Sequence, residues 1–94
     1  MVQHIVMWKF KEGTQAQADE FLTKLAALDG VIECIRFMSV RRSAVANSAY
    51  DAVLVSHFDT IEDVERYKND PRHLAVAAIC KEIRTERCAI DTEL

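Results

Sequence analysis

The sequence is poor in the residues that interrupt a chain or staple it: among 94 residues there are two glycines, one proline and three cysteines. With Gly13, Gly30 and Pro71 as the only such punctuation, no Gly-rich or Pro-rich linker and no low-complexity tract is present, so the chain reads as one domain, residues 1–94. Cys34, Cys80 and Cys88 are odd in number, fall at unrelated spacings and form no C-x-x-C pair. They indicate neither a disulfide framework nor a zinc ribbon, and fit small core residues in a reducing compartment. Apolar runs approaching about 18 residues are missing, as is a basic leader with an apolar segment behind it, so the expectation is a soluble, cytoplasmic protein with no membrane partner. Positive charge is also sparse. Twelve Lys and Arg face fifteen Asp and Glu, for a net charge of −3, and Arg41–Arg42 is the only basic cluster; this argues against nucleic acid. Glycine-rich phosphate loops, a Gly-x-Ser-x-Gly nucleophile motif and recognisable metal-ligand spacings are absent, so neither metal nor cofactor is expected.

What the chain does have is apolar periodicity, half of its residues being hydrophobic. Residues 3–10 alternate, with His4, Val6, Trp8 and Phe10 on one face and Ile5 and Met7 on the other, the period of a strand. Thr14 is placed to cap a helix on which Ala18, Phe21, Leu22, Leu25 and Leu28 recur at three- and four-residue spacing, until Asp29-Gly30 stops it. Val31 to about Val40 is β-rich and suits a second strand, and Arg41 to Ser48 reads as a polar loop. Asp51–Phe58 is a third strand; Asp59 or Thr60 can cap a helix with Ile61, Val64 and Tyr67 as its stripe. Asn69-Asp70-Pro71 ends that helix and starts another, because Asp caps well and Pro is tolerated at the first helical position. His73, Leu74, Val76, Ala77 and Ile83 give its face, and Thr85–Leu94 closes the chain as a fourth strand.

The order β-α-β-β-α-β, with its second helix split at Pro71, is the ferredoxin-like arrangement of the α+β class: a four-stranded antiparallel sheet with helices on one face. Strands 1 and 3 are apolar on both faces at their centres, which calls for cover on the second face as well. No segment is left to supply it. A face-to-face homodimer is the economical answer, and a chain of this size, burying only about 60–65% of its unfolded surface, gains from it.

Three stretches carry a family resemblance: Gln3-His4-Ile5-Val6-Met7-Trp8-Lys9-Phe10-Lys11; Tyr50 to Val55 with Phe58, Glu62-Asp63, Tyr67 and Asn69-Asp70-Pro71-Arg72-His73-Leu74; and Cys88-Ala89-Ile90-Asp91. In this order, spanning residues 2–93 without large insertions, they resemble the stress-responsive dimeric α/β-barrel (Dabb) family. The resemblance implies a dimer in which two sheets face each other as a barrel with helices outside, and says little about reaction, since most members have no assigned activity. One plant branch consists of cofactor-free polyketide cyclases, in which a Tyr and a His promote an aldol closure; another plant member is a heat-stable oligomer.

His4, Tyr67 and His73 match by position the histidines and tyrosine of the cyclase branch, and are the candidate catalytic residues. The resemblance makes His73 a base, with Tyr67 its orienting partner; an imidazole with a pKa near about 6.5 suits proton abstraction and a phenol suits donation to an enolate. Val6, Trp8, Phe21 and Leu25 are expected to line the pocket. Ala52 and Leu25 stand where the cyclase branch carries a histidine and a tyrosine, which argues against polyketide cyclisation. Read as core residues, His4 would be a satisfied buried histidine and Tyr67 would keep its hydroxyl at the rim, while His57 is most simply an exposed strand end. Two functions follow, ahead of a third, haem- or flavin-free oxygenase chemistry, that rests on fold analogy alone. A protein that binds a small apolar or aromatic molecule, with a His/Tyr acid–base pair, needs a cavity beside His4 and His73; a non-catalytic structural homo-oligomer needs none.

Overall fold

The structure, a computed structural model describing residues 1–94, runs β1 (Val2–Phe10), α1 (Gln15–Ala26), β2 (Phe37–Arg42), β3 (Ala52–Phe58), α2 (Ile61–Asn69), α3 (Pro71–Ile83) and β4 (Arg84–Glu93). All strand neighbours are antiparallel and the order across the sheet is β2-β3-β1-β4, the ferredoxin-like topology expected from the element order. No helix is long and apolar enough to cross a membrane.

Alternation along the two inner strands decides the layering. His4, Val6, Trp8 and Phe10 of β1 and Ala52, Leu54, Ser56 and Phe58 of β3 are buried on the helix side. There they meet Ala18, Phe21, Leu22 and Leu25 of α1, Val64 and Tyr67 of α2, and Val76, Cys80 and Ile83 of α3. Trp8 packs edge-on against Phe21 with ring centroids 5.1 Å apart, a favourable aromatic geometry at the centre of the core. Ser56 and His4 are the two polar residues buried in this layer, and the Ser56 hydroxyl donates to the His4 carbonyl at 3.1 Å, so it is satisfied where it lies.

The opposite sheet face is apolar at its centre and no element of the chain covers it. Register places Ile5 between Val55 and Ile90, and Met7 between Val53 and Cys88, while Ile90 is 58% exposed. The helix breaks are local chemistry. Thr60 accepts the Asp63 N–H at 3.2 Å to start α2; Asp70 accepts the Arg72 N–H at 2.8 Å to start α3, with Pro71 in its first turn. The Arg72 guanidinium on the Asp70 carboxylate holds that carboxyl down at about 2.

Several expectations need correction. The second strand does not begin at Val31. Residues 31–36 form turns in which the Val31 and Ile32 N–H groups bond the Leu28 carbonyl and the Ile35 N–H bonds the Ile32 carbonyl, so Ile32 and Ile35 bury at a three-residue spacing that strand composition disguised. Arg41 and Arg42, assigned to the polar loop, complete β2 instead. Thr14 makes no side-chain cap, its hydroxyl donating back to the Lys11 carbonyl at 2.6 Å. The helix α1 ends at Ala26, before Asp29-Gly30, and Gly30 takes a positive φ of 83° in the turns beyond. On α3 Cys80 replaces Leu74 in the buried stripe, and on α2 Ile61 is exposed. His57 is half-buried, accepting from the Gln3 amide at 3.1 Å with its ring against Phe37.

Phe58 is fully buried between the sheet and Tyr67. Phe58→Ala should lower the unfolding free energy by about 3–5 kcal/mol, measured by urea denaturation. A loss below about 1 kcal/mol would remove Phe58 from the core.

Candidate functional site

Three elements bring His4, Tyr67 and His73 to one place. Strand alternation turns His4 toward the helices, where it is 2% exposed, and the β1–β4 register sets Asp91 opposite it. Its Nδ1 lies 2.6 Å from an Asp91 carboxylate oxygen. The oxygen can only accept, so the ring donates through Nδ1–H and Nε2 is left as a free acceptor. Burial and the Asp91 carboxylate pull the His4 pKa in opposite directions; burial is larger, the charges of Lys68 and Arg87 add to it, and the pKa falls below its ordinary value.

Tyr67 lies on the inward stripe of α2, its ring 6.2 Å from that of His4 and 4.4 Å from that of His73. It is fully buried, hydroxyl included, and the hydroxyl is the one buried side-chain polar atom without a hydrogen-bond partner. Burial pushes its pKa well above the usual phenol value, so the O–H is retained. This differs from the expected rim hydroxyl. It also differs from the expected orienting role, because the group that fixes His73 is the Lys68 carbonyl, 3.0 Å from His73 Nδ1.

His73 stands two residues into α3 beyond Pro71, and the break between the helices is what turns its ring back over Tyr67. A carbonyl accepts, so His73 also donates through Nδ1–H and also leaves Nε2 free. Burial, aided by the His4 and Arg87 charges, lowers its pKa against the raising effect of the Lys68 carbonyl. The arrangement is therefore two neutral imidazoles, each held at Nδ1, flanking an unpaired phenol.

These rings border a cleft of about 290 Å³ between the sheet and the helices. Val6, Trp8, Phe21 and Leu25, the residues expected to line a pocket, all line it. Cys80 and four cations, Lys68, Lys81, Arg84 and Arg87, also line it, none of them part of a sequence motif, and Asp91 stands behind His4. Their signal was positional. Arg87, Ala89 and Asp91 share one face of β4 at a two-residue period, and His73, Ala77 and Lys81 share one stripe of α3 at a four-residue period, but only the register with β1 sets Arg87 opposite Trp8 and Asp91 opposite His4.

A single ferredoxin-like sheet, helices on one side and a cleft between the layers, defines the class as a small α+β domain of that fold. The chain belongs to the stress-responsive A/B barrel domain (Dabb) family, whose model matches residues 2–94. Among solved structures it is similar to a dimeric ferredoxin-like protein of unknown function from Bacteroides fragilis, at 28% identity and a TM-score of 0.92, covering 99% of this chain and 95% of that one. A dimeric ferredoxin-like protein of unknown function from Thermobifida fusca follows, at 23% identity and 0.87, covering 99% and 90%. A hydroxynitrile lyase from Passiflora edulis shares the fold at 15% identity and 0.85, covering 99% and 92%. No curated protein matches the chain.

Because burial holds both histidines below their unfolded pKa, the unfolded chain takes up protons first as the pH falls. Stability present above about pH 6.5 should thus be lost as the pH drops through the folded values. Thermal melts between pH 8 and pH 5 should show the midpoint falling below about pH 6.5, and His73→Gln should flatten the fall. An unchanged slope in that variant would mean that His73 is not held neutral by the fold.

Proposed function

We propose that the protein is a homodimer joined through its open sheet face, whose cleft on the helix side binds a small apolar or aromatic carbonyl compound and moves a proton on it without a cofactor. The observation that carries this reading is the orphaned Tyr67 hydroxyl between two imidazoles with free Nε2 atoms. Leaving a buried hydroxyl unpaired costs about 1–3 kcal/mol, and a ligand oxygen placed against it would remove that cost. The hydroxyl is buried, so a ligand oxygen reaches it only as the side chains around it shift.

In this reading His73 Nε2 takes the proton from a carbon next to the carbonyl, and the electron pair left behind moves onto the carbonyl oxygen. Tyr67 O–H donates a hydrogen bond to that oxygen, and the imidazolium returns the proton to carbon to complete the cycle. His4, steadied by Asp91, is the second acceptor beside the phenol. The apolar walls from Val6, Trp8, Phe21 and Leu25 suit an aromatic body, and the volume suits one ring, since a cavity of about 150 Å³ already holds benzene. The same fold carries a lyase in Passiflora edulis, which is in keeping with chemistry on this scaffold.

The dimer rests on the uncovered patch of Ile5, Met7, Val53, Val55 and Ile90, and on the dimeric state of the related proteins from Bacteroides fragilis and Thermobifida fusca. A charge at Ile5 or Val53 should dissociate it. Sedimentation of Ile5→Asp and Val53→Asp should give monomers, and a doubly substituted chain that still sediments as a dimer would place the interface elsewhere.

The chemistry is tested with phenylacetone in D2O, following deuterium incorporation beside the carbonyl by NMR. Trp8, the only tryptophan, lines the cleft and should report binding by its fluorescence. The wild-type chain should accelerate exchange, and His73→Ala and Tyr67→Phe should each slow it by about 10²-fold or more. Binding without exchange would leave a carrier of small molecules; neither binding nor exchange would leave the structural homo-oligomer.

A further inference from the structure

The cleft is electrically unlike the rest of the molecule. Its lining includes four cations and not one of the fifteen carboxylates, in a chain whose net charge is −3. Seven of the twelve Lys and Arg side chains form ion pairs; Lys11, Arg41, Lys81, Arg84 and Arg87 do not. Three of those five line this one cleft. They come from separate places in the fold: Lys81 from the last turn of α3, Arg84 from the junction with β4, and Arg87 from the β4 position opposite Trp8. None of the three makes a side-chain hydrogen bond to the protein either, so their donors are uncommitted. Like charges gathered at one mouth repel one another, and an anion among them relieves that repulsion. The field reaches inward, because the Arg87 charge acts on His4, Tyr67 and His73 alike.

We infer that the molecule bound in this cleft is an anion, an apolar or aromatic body ending in a carboxylate or phosphate group, with the negative end held at the mouth by Lys81, Arg84 and Arg87. The inference rests on the cleft reading above and narrows its ligand. Guanidinium forks match the paired oxygens of such groups, and the apolar wall beyond them accepts the body. A carboxylate or phosphate seated at the mouth fixes which way the ligand enters, with the rest of the molecule, its carbonyl included, inward toward the rings of His4, Tyr67 and His73. Positive charge beside the reacting carbonyl also favours the negative charge that develops on an enolate. The same three cations therefore serve selection and chemistry.

Matched probes test this on the intact chain. Phenylpyruvate and phenylacetone share the ring and the ketone and differ in a carboxylate for a methyl group; phenyl phosphate supplies the other anionic head. Calorimetry should show at least one anion binding about tenfold more tightly than phenylacetone, with the advantage shrinking as salt is raised. Arg87→Gln should cost the preferred anion about tenfold and phenylacetone far less, with a thermal melt matching that of the wild-type chain to show that the variant is folded. Which anion wins distinguishes a carboxylic acid from a phosphate ester. Equal binding of neutral and anionic probes, or an anion preference that survives Arg84→Gln, Arg87→Gln and Lys81→Gln together, overturns the anion reading while leaving the cleft reading in place. If none of the probes binds, both readings fail.

Discussion

The pleat of β1 is the constraint on which the rest depends. As an inner strand it is paired on both sides, so its backbone cannot rotate, and its side chains must serve two faces in strict alternation. His4, Val6 and Trp8 point to the helices and line the cleft; Ile5 and Met7 point away and furnish the uncovered patch. A slip of one residue would exchange the two sets, putting an imidazole and an indole on the open face. Register is therefore held by more than ladder bonds. At the far end of β1 the Asp51 carboxylate accepts the Phe10 N–H at 2.8 Å where the pairing with β4 shifts, and at the near end Asp91 grips the His4 ring.

Polar groups in an apolar layer are tolerated when they are satisfied, and here the pattern of satisfaction is uneven. Ser56 has the His4 carbonyl, His4 has Asp91, and His73 has the Lys68 carbonyl. Tyr67 alone has nothing. A phenylalanine would fill the same space without that cost, so the oxygen needs a reason that packing does not supply. The neutral state of both flanking rings points the same way, since imidazolium ions would offer donors on every nitrogen and no acceptor at all.

Much of this was legible in the chain, and the parts that were not share a cause. Strict alternation over residues 3–10 and the Asp70-Pro71 signal are strong local codes, and they placed His4, Tyr67 and His73 on the correct elements. Residues 31–36 misled because Val31, Ile32 and Ile35 have strand-like composition, whereas burial selected the three-residue spacing of a turn. The cations of the cleft were invisible for a different reason. Arg84 and Arg87 look like ordinary surface residues of an edge strand, and only pairing with β1, across most of the chain, shows which side of the sheet they occupy. The unpaired state of Tyr67 is a property of its surroundings and has no signature in the sequence.

The partner that holds His4 lies 87 residues away along the chain, since the first strand pairs with the last. Closing so large a loop is slow compared with forming α1 or the turns, so the contact that orients this imidazole belongs among the late events of folding. Until β4 docks, one edge of β1 stands without its ladder, the cleft lacks Arg87, and His4 lacks its Asp91 partner. The apolar strands made earlier thus wait on β4 before His4 gains its Asp91 partner. Partly folded molecules are left with an open edge on β1 as their principal hazard.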